Sequence, residues 1–149
     1  SDPGLLNITE NAQRARPDAE ILGAYVQHMI PHGQEVIVGS VFDEQFGPLV
    51  MFGSGGVEVE GLKDVSFALA PMRRQDANRL LERTWAGKKL CGYRNLPPGD
   101  REAVVEVLLR LAQLAVDYPS LAEIEINPLR VLSEGQGAFA IDMRLRLRS

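Results

Sequence analysis

The sequence predicts an α+β domain, mostly an antiparallel sheet with flanking helices. Three observations carry that prediction. The β-branched run Glu35-Val36-Ile37-Val38-Gly39-Ser40-Val41-Phe42 is followed, after a short loop, by Leu49-Val50-Met51-Phe52, and the two read as a hairpin. Residues 101–118 carry Val104, Val105, Val107, Leu108, Leu111, Ala112, Leu114 and Ala115 at helical spacing. Residues 122–147 form a second pair of alternating runs around the turn-rich stretch Ser133-Glu134-Gly135-Gln136-Gly137.

The elements follow in order. Residues 1–20, with Pro3, Gly4 and Pro17, are weakly patterned and read as an arm or truncated segment. Residues 22–30 read as a strand stopped by Pro31 and Gly33. After the first hairpin, Gly53-Ser54-Gly55-Gly56 breaks the chain, and Val57 to Glu60 is a short extended run. Residues 65–70 read as another strand ending at Pro71, and residues 75–85 as a helix with Ala77, Leu80, Leu81 and Thr84 on one side. Asp100 is placed to cap the helix over 101–118, which Pro119 ends.

A length of 149 residues suits one domain of ordinary size. Hydrophobic residues make up 45% and charged residues 24%, the balance of a globular protein with a core to bury. Net charge is −4, so there is no basic excess for an extended phosphate surface and no nucleic-acid partner is expected. The local exception is Arg144, Arg146 and Arg148, which would line a strand face near an anionic ligand or form surface ion pairs. Cys91 is the single cysteine, which excludes an internal disulfide and reads as a small buried hydrophobe. No run of about 18 apolar residues is present, so no membrane span and a cytoplasmic location are expected. Ser1-Asp2-Pro3-Gly4 carries neither a signal peptide nor an initiator methionine, and the chain is read as a piece of something longer.

The chemistry concentrates in Glu123-Ile124-Glu125-Ile126-Asn127-Pro128 and Phe139-Ala140-Ile141-Asp142. Alternation along a strand puts Glu123, Glu125 and Asn127 on one face and Ile124 and Ile126 on the other. A hairpin folded at 133–137 brings Asn127 within about one residue of Asp142 across the ladder. Hard oxygen donors then converge, a set suited to Mg²⁺ holding phosphate oxygens. A half-exposed hairpin with solvated charges would alternate in the same way. The glycines at 53, 55 and 56 suit either an anion cradle or a flexible turn; the loop lacks the Gly-Lys-Ser/Thr of a Walker A motif, and Glu58 breaks GxGxxG. Glu35 could accept hydrogen bonds from a ribose diol or stand free at a strand start. Arg94 could reach a phosphate or brace its own loop. His28 and His32 are four apart, but Pro31 between them breaks the helix a zinc pair would need.

Several segments recur here in a particular order: Val26-Gln27-His28-Met29, Gly33-Gln34-Glu35-Val36-Ile37-Val38-Gly39, Phe46-Gly47-Pro48, Phe52-Gly53-Ser54-Gly55-Gly56, Lys63-Asp64-Val65, Gly92-Tyr93-Arg94 and Glu123-Ile124-Glu125-Ile126-Asn127-Pro128-Leu129. That order resembles the ATP-grasp domain of ADP-forming (NDP-forming) acyl-CoA synthetases, especially acetate–CoA ligase, and is more distantly similar to the succinyl-CoA synthetase β subunit. The resemblance covers about 22–147 and implies a carboxyl-terminal ATP-grasp lobe over 21–149, a fragment of a longer protein. It implies ATP/ADP and Mg²⁺ as cofactors, with Asn127 and Asp142 as metal ligands and Glu125 assisting. It further implies Gln27 at the adenine, Glu35 at the ribose, and Gly53, Gly55 and Gly56 near the transferred phosphate. CoA and a small carboxylic acid would be bound by other domains or subunits, which would also bring the phosphorylated histidine and the opposing lobe. The isolated chain would then hold half a nucleotide site and turn over little or not at all. The alternative is a non-catalytic, ligand-binding synthetase-like region of a protein acetyltransferase.

Overall fold

Alternation of buried and open positions along the strands sets the architecture. In the computed structural model, residues 31–55 and 64–149 are described. The described strands are β1 (Gln34–Asp43), β2 (Gly47–Ser54), β3 (Val65–Leu69), β4 (Leu121–Val131), β5 (Ala138–Ala140) and β6 (Met143–Leu147). The described helices are α1 (Arg74–Glu82), α2 (Trp85–Lys89) and α3 (Arg101–Asp117), all between β3 and β4. The sheet runs β3-β2-β1-β4-β5, with β6 also paired to β4, and every pairing is antiparallel. The α+β class therefore holds.

One face of the sheet carries Val36, Val38, Val50, Phe52, Ile124, Ile126, Leu129 and Val131, all buried. The helices pack there with Ala77, Leu80, Leu81, Val104, Leu108 and Leu111, making one core. Burying a side chain of the size of Phe52 or Leu108 stabilises the fold by roughly 1.5–3 kcal/mol. On the other face, Ile37 and Met51 are half-buried, and Phe67 and Leu69 are exposed. That open face also carries the polar side chains of β4.

Local chemistry fixes the connections. Asp43 closes the first hairpin, its Oδ1 accepting from the N–H groups of Gln45 and Phe46 at 2.8 and 2.9 Å. Asp100 caps α3, as its position in the sequence suggests, accepting from the Ala103 N–H at 3.1 Å. Its other oxygen accepts from the Gly137 N–H at 2.8 Å, which pins the turn after β4 to the start of α3. Gly135 and Gly137 in that turn have φ of 80° and 87°, the region open to glycine.

Two expectations are corrected. The helix expected over 75–85 is two helices. The α1 helix stops at Glu82, and Thr84 starts α2 by accepting from the Gly87 N–H at 3.0 Å. Gly87 then lies so close to α1 that a Cβ would sit 1.8 Å from the Leu81 carbonyl oxygen. Cys91, expected inside, is exposed. The strand expected over 22–30 and the run at 57–60 lie outside the described residues. Among the described residues no helix is long and apolar enough to cross a membrane.

Candidate functional site

The β4 strand changes phase once. Ala122, Ile124 and Ile126 are buried, and so are Leu129 and Val131. The shift falls at Asn127-Pro128. Val36 of β1 pairs with Leu129 and Val38 with Ile126, so Ile37 alone faces two residues of β4. An extra residue of this kind is a β-bulge, which re-aims side chains without ending the strand. It keeps Glu123, Glu125 and Arg130 on the same open face.

The opposite edge of β4 is irregular at the same place. Leu129 pairs with Ala140 of β5 and Ile126 with Met143 of β6, leaving Ile141 and Asp142 as the gap between the two short strands. The register is continuous across that gap. The Asn127 N–H donates to the Asp142 carbonyl at 3.0 Å, and the Ile141 N–H donates to the Pro128 carbonyl at 3.0 Å. Asn127 therefore lies directly opposite Asp142. Glu125, Asn127, Asp142 and Arg144 together line a cleft of about 280 Å³.

The donors in this cleft are two carboxylates and one amide oxygen, with no sulfur or imidazole. Among the described residues no three His, Cys, Asp or Glu side chains cluster as a full cage. Such a partial set suits Mg²⁺, which takes one or two carboxylates and completes its octahedron with water and phosphate oxygens. The residues present thus fit the ion.

Glu35 stands on the neighbouring strand. It pairs in register with Arg130, whose Nη2 lies 2.9 Å from its Oε2 and whose Nε lies 3.3 Å away. Arg130 was not legible as a partner, because the register linking β1 to β4 spans 95 positions of sequence. The Gly55 N–H in turn donates to the Glu35 carbonyl at 3.4 Å, so Gly55 lies beside Glu35. Glu35 does not line the cleft of Asn127 and Asp142. Gln27 and Gly56 lie outside the described residues.

The glycines at 53 and 55 have a packing reason as well. A Cβ on Gly53 would meet the Asp64 carbonyl oxygen at 2.2 Å, and one on Gly55 the Val36 carbonyl carbon at 2.8 Å. Asp64 organises this corner, which sequence reading missed. Its carboxylate accepts from the Ser54 hydroxyl at 2.6 Å and from the N–H groups of Trp85 and Ala86 at 2.8 and 2.9 Å. Partial burial would raise its pKa. The Ser54 hydroxyl, the Ala86 and Trp85 N–H groups and the charge of Lys89 outweigh burial and hold it below the ordinary carboxylate value. The Arg94 guanidinium lies over the ring of Tyr93, in its own loop, at 5.0 Å.

A family model described as the ATP-grasp domain matches residues 4–147. The chain belongs to the ATP-grasp family. This ATP-grasp domain is 41% identical over 140 residues to the beta subunit of acetate–CoA ligase (ADP-forming) I of Pyrococcus furiosus, covering 94% of the chain and 60% of that subunit. It is 40% identical over 146 residues to acetate–CoA ligase (ADP-forming) I of Archaeoglobus fulgidus, covering 98% of the chain but 21% of that ligase. Among solved structures, it superposes with a TM-score of 0.74 on the dinucleotide-forming acetyl-coenzyme A synthetase 1 of Ca. Korarchaeum cryptofilum, in complex with coenzyme A and Mg-AMPPCP. Identity there is 41%, over 80% of this chain and 55% of that one. The domain thus spans only part of each of these relatives. The resemblance to ADP-forming acyl-CoA synthetases read from the sequence holds.

Proposed function

We propose that this ATP-grasp domain is the nucleotide- and Mg²⁺-binding lobe of an ADP-forming acyl-CoA synthetase acting on a small carboxylic acid. The observation that carries the proposal is Asn127 opposite Asp142 in one cleft with Glu125. The net reaction is acyl-CoA + ADP + phosphate ⇌ carboxylate + ATP + CoA, with the phosphoryl group passing through an enzyme histidine supplied elsewhere.

Asn127 and Asp142 would hold the metal and Glu125 would assist, orienting the nucleotide phosphates on the open face of β4. When bound, Mg²⁺ supplies positive charge to the phosphoryl oxygens. Glu35, steadied by Arg130, would accept hydrogen bonds from the ribose hydroxyls. Gly53, Gly55 and Gly56 would let the backbone approach the transferred phosphate, and Gln27 would meet the adenine. CoA, the acid and the phosphorylated histidine belong to other domains or subunits. The relatives support this division, since the P. furiosus protein is named as a beta subunit.

The test is ATP formation from acetyl-CoA, ADP and phosphate by the full-length protein with any companion subunit. The proposal expects turnover that Asp142→Ala abolishes. Undiminished turnover in Asp142→Ala would remove Asp142 from the metal site.

A further inference from the structure

The β6 strand and the residue after it present three arginines at alternate positions, Arg144, Arg146 and Arg148, and two of them are engaged. Arg146 pairs with Glu123 across the ladder at 3.2 Å. Arg148 donates to the Pro119 carbonyl at 3.2 Å and lies over the Phe42 ring at 4.0 Å. Arg144 stands in register with Glu125, a pairing of the same kind as Arg146 with Glu123. Yet among the described residues its side chain closes no ion pair or hydrogen bond. Its side chain instead lines the cleft with Glu125, Asn127 and Asp142.

An arginine beside two carboxylates, left open on a concave surface, keeps its donors for something else. Its planar fork matches phosphate oxygens bidentately. The electrostatics point the same way. Glu125 and Asp142 favour a cation but repel a polyanion, and Arg144 offsets part of that repulsion where a nucleotide's phosphates would lie. We propose that Arg144 is a phosphate-binding residue of this cleft, holding the nucleotide's phosphate oxygens beside the metal ligands. The proposal rests on the reading of the face as a Mg·nucleotide site.

The roles of metal ligand and phosphate ligand differ in sign. A ligand to the metal supports binding of the bare ion. A cation beside the metal opposes it, while supporting the metal–nucleotide complex. The experiment therefore measures two affinities in the full-length protein: Mg·ADP by calorimetry, and free Mn²⁺ by electron paramagnetic resonance without nucleotide. Arg144→Ala should weaken Mg·ADP by about tenfold or more, equivalent to about 1.4 kcal/mol, and leave Mn²⁺ binding unchanged or tighter. Arg144→Lys keeps the charge and the stem on an exposed strand while losing the fork, and should fall between; it decides the matter if Arg144→Ala melts early. Arg146→Ala should change neither affinity. Unaltered Mg·ADP affinity in Arg144→Ala, or a parallel loss of Mn²⁺, overturns the assignment alone. Failure of the unsubstituted protein to bind Mg·ADP overturns the underlying reading, and the assignment with it.

Discussion

Asn127 and Asp142 face one another across the sheet because the register of β4 runs unbroken from β5 to β6, and two irregularities flank the pair. The bulge against Ile37 turns β4 on one side, and the break between β5 and β6 frees Asp142 on the other. The hydrogen bond from the Asn127 N–H to the Asp142 carbonyl holds the two backbones together at 3.0 Å. The side chains are thus set by backbone pairing and need no contact with each other to stay aligned. A site that must receive a ligand gains from this, since preorganised groups do not have to be ordered on binding.

Glu35 separates stability from function. Its pair with Arg130 is partly solvated, with side chains 39% and 24% exposed, so Glu35→Gln should cost less than about 1 kcal/mol of stability. If Glu35 accepts from the ribose, the same substitution should reduce the preference for ADP over 2′-deoxy-ADP by about tenfold. Competition binding with the two nucleotides checks this. An undiminished preference would leave Glu35 as a partner of Arg130 only.

Asp64 should make stability fall in acid. Its folded pKa is depressed below the ordinary carboxylate value, so its contribution is complete above that value and is lost as pH drops through the folded pKa. Asp64→Ala should cost about 1–2 kcal/mol near neutral pH through the lost cap of α2. Urea unfolding from pH 7 to 3 should show the gap between wild type and variant constant at first and narrowing below about pH 4. A gap that widens in acid would mean the carboxylate is not held as described.

Much of this was legible in the sequence because it is local. The hairpin of β1 and β2 follows from β-branched alternation around a turn. The α3 helix follows from its apolar spacing and the Asp100 cap. The Asn127–Asp142 juxtaposition follows from hairpin register alone. What was missed depends on distant partners. The break at Arg83-Thr84 answers to Asp64, 21 residues before Trp85, and to the close approach of Gly87 to Leu81. The glycines at 53 and 55 suited an anion cradle or a flexible turn equally, and the close neighbours across the sheet that leave no room for a Cβ show only in the fold. No pattern within β6 distinguishes Arg144 from Arg146; only the cleft does.

Gly87 gives a prediction in which propensity and packing disagree. Alanine is favoured over glycine within a helix by about 1 kcal/mol. Here the added methyl would press on the backbone of Leu81 at 1.8 Å, a group that cannot rotate away. Gly87→Ala should therefore destabilise by about 2 kcal/mol or more, because overpacking outweighs propensity. A thermal melt decides it, and an unchanged or raised midpoint would show that α2 can shift away from α1.

The proposed function stands or falls with Asn127 and Asp142 as the metal end of a nucleotide site. Asp142→Asn is the most direct test, since it removes the charge while keeping the shape. In the full-length protein it should lower the affinity for free Mn²⁺ and for Mg·ADP together, each by about tenfold or more, with the thermal midpoint close to wild type. Wild-type affinity for both in Asp142→Asn would contradict the account.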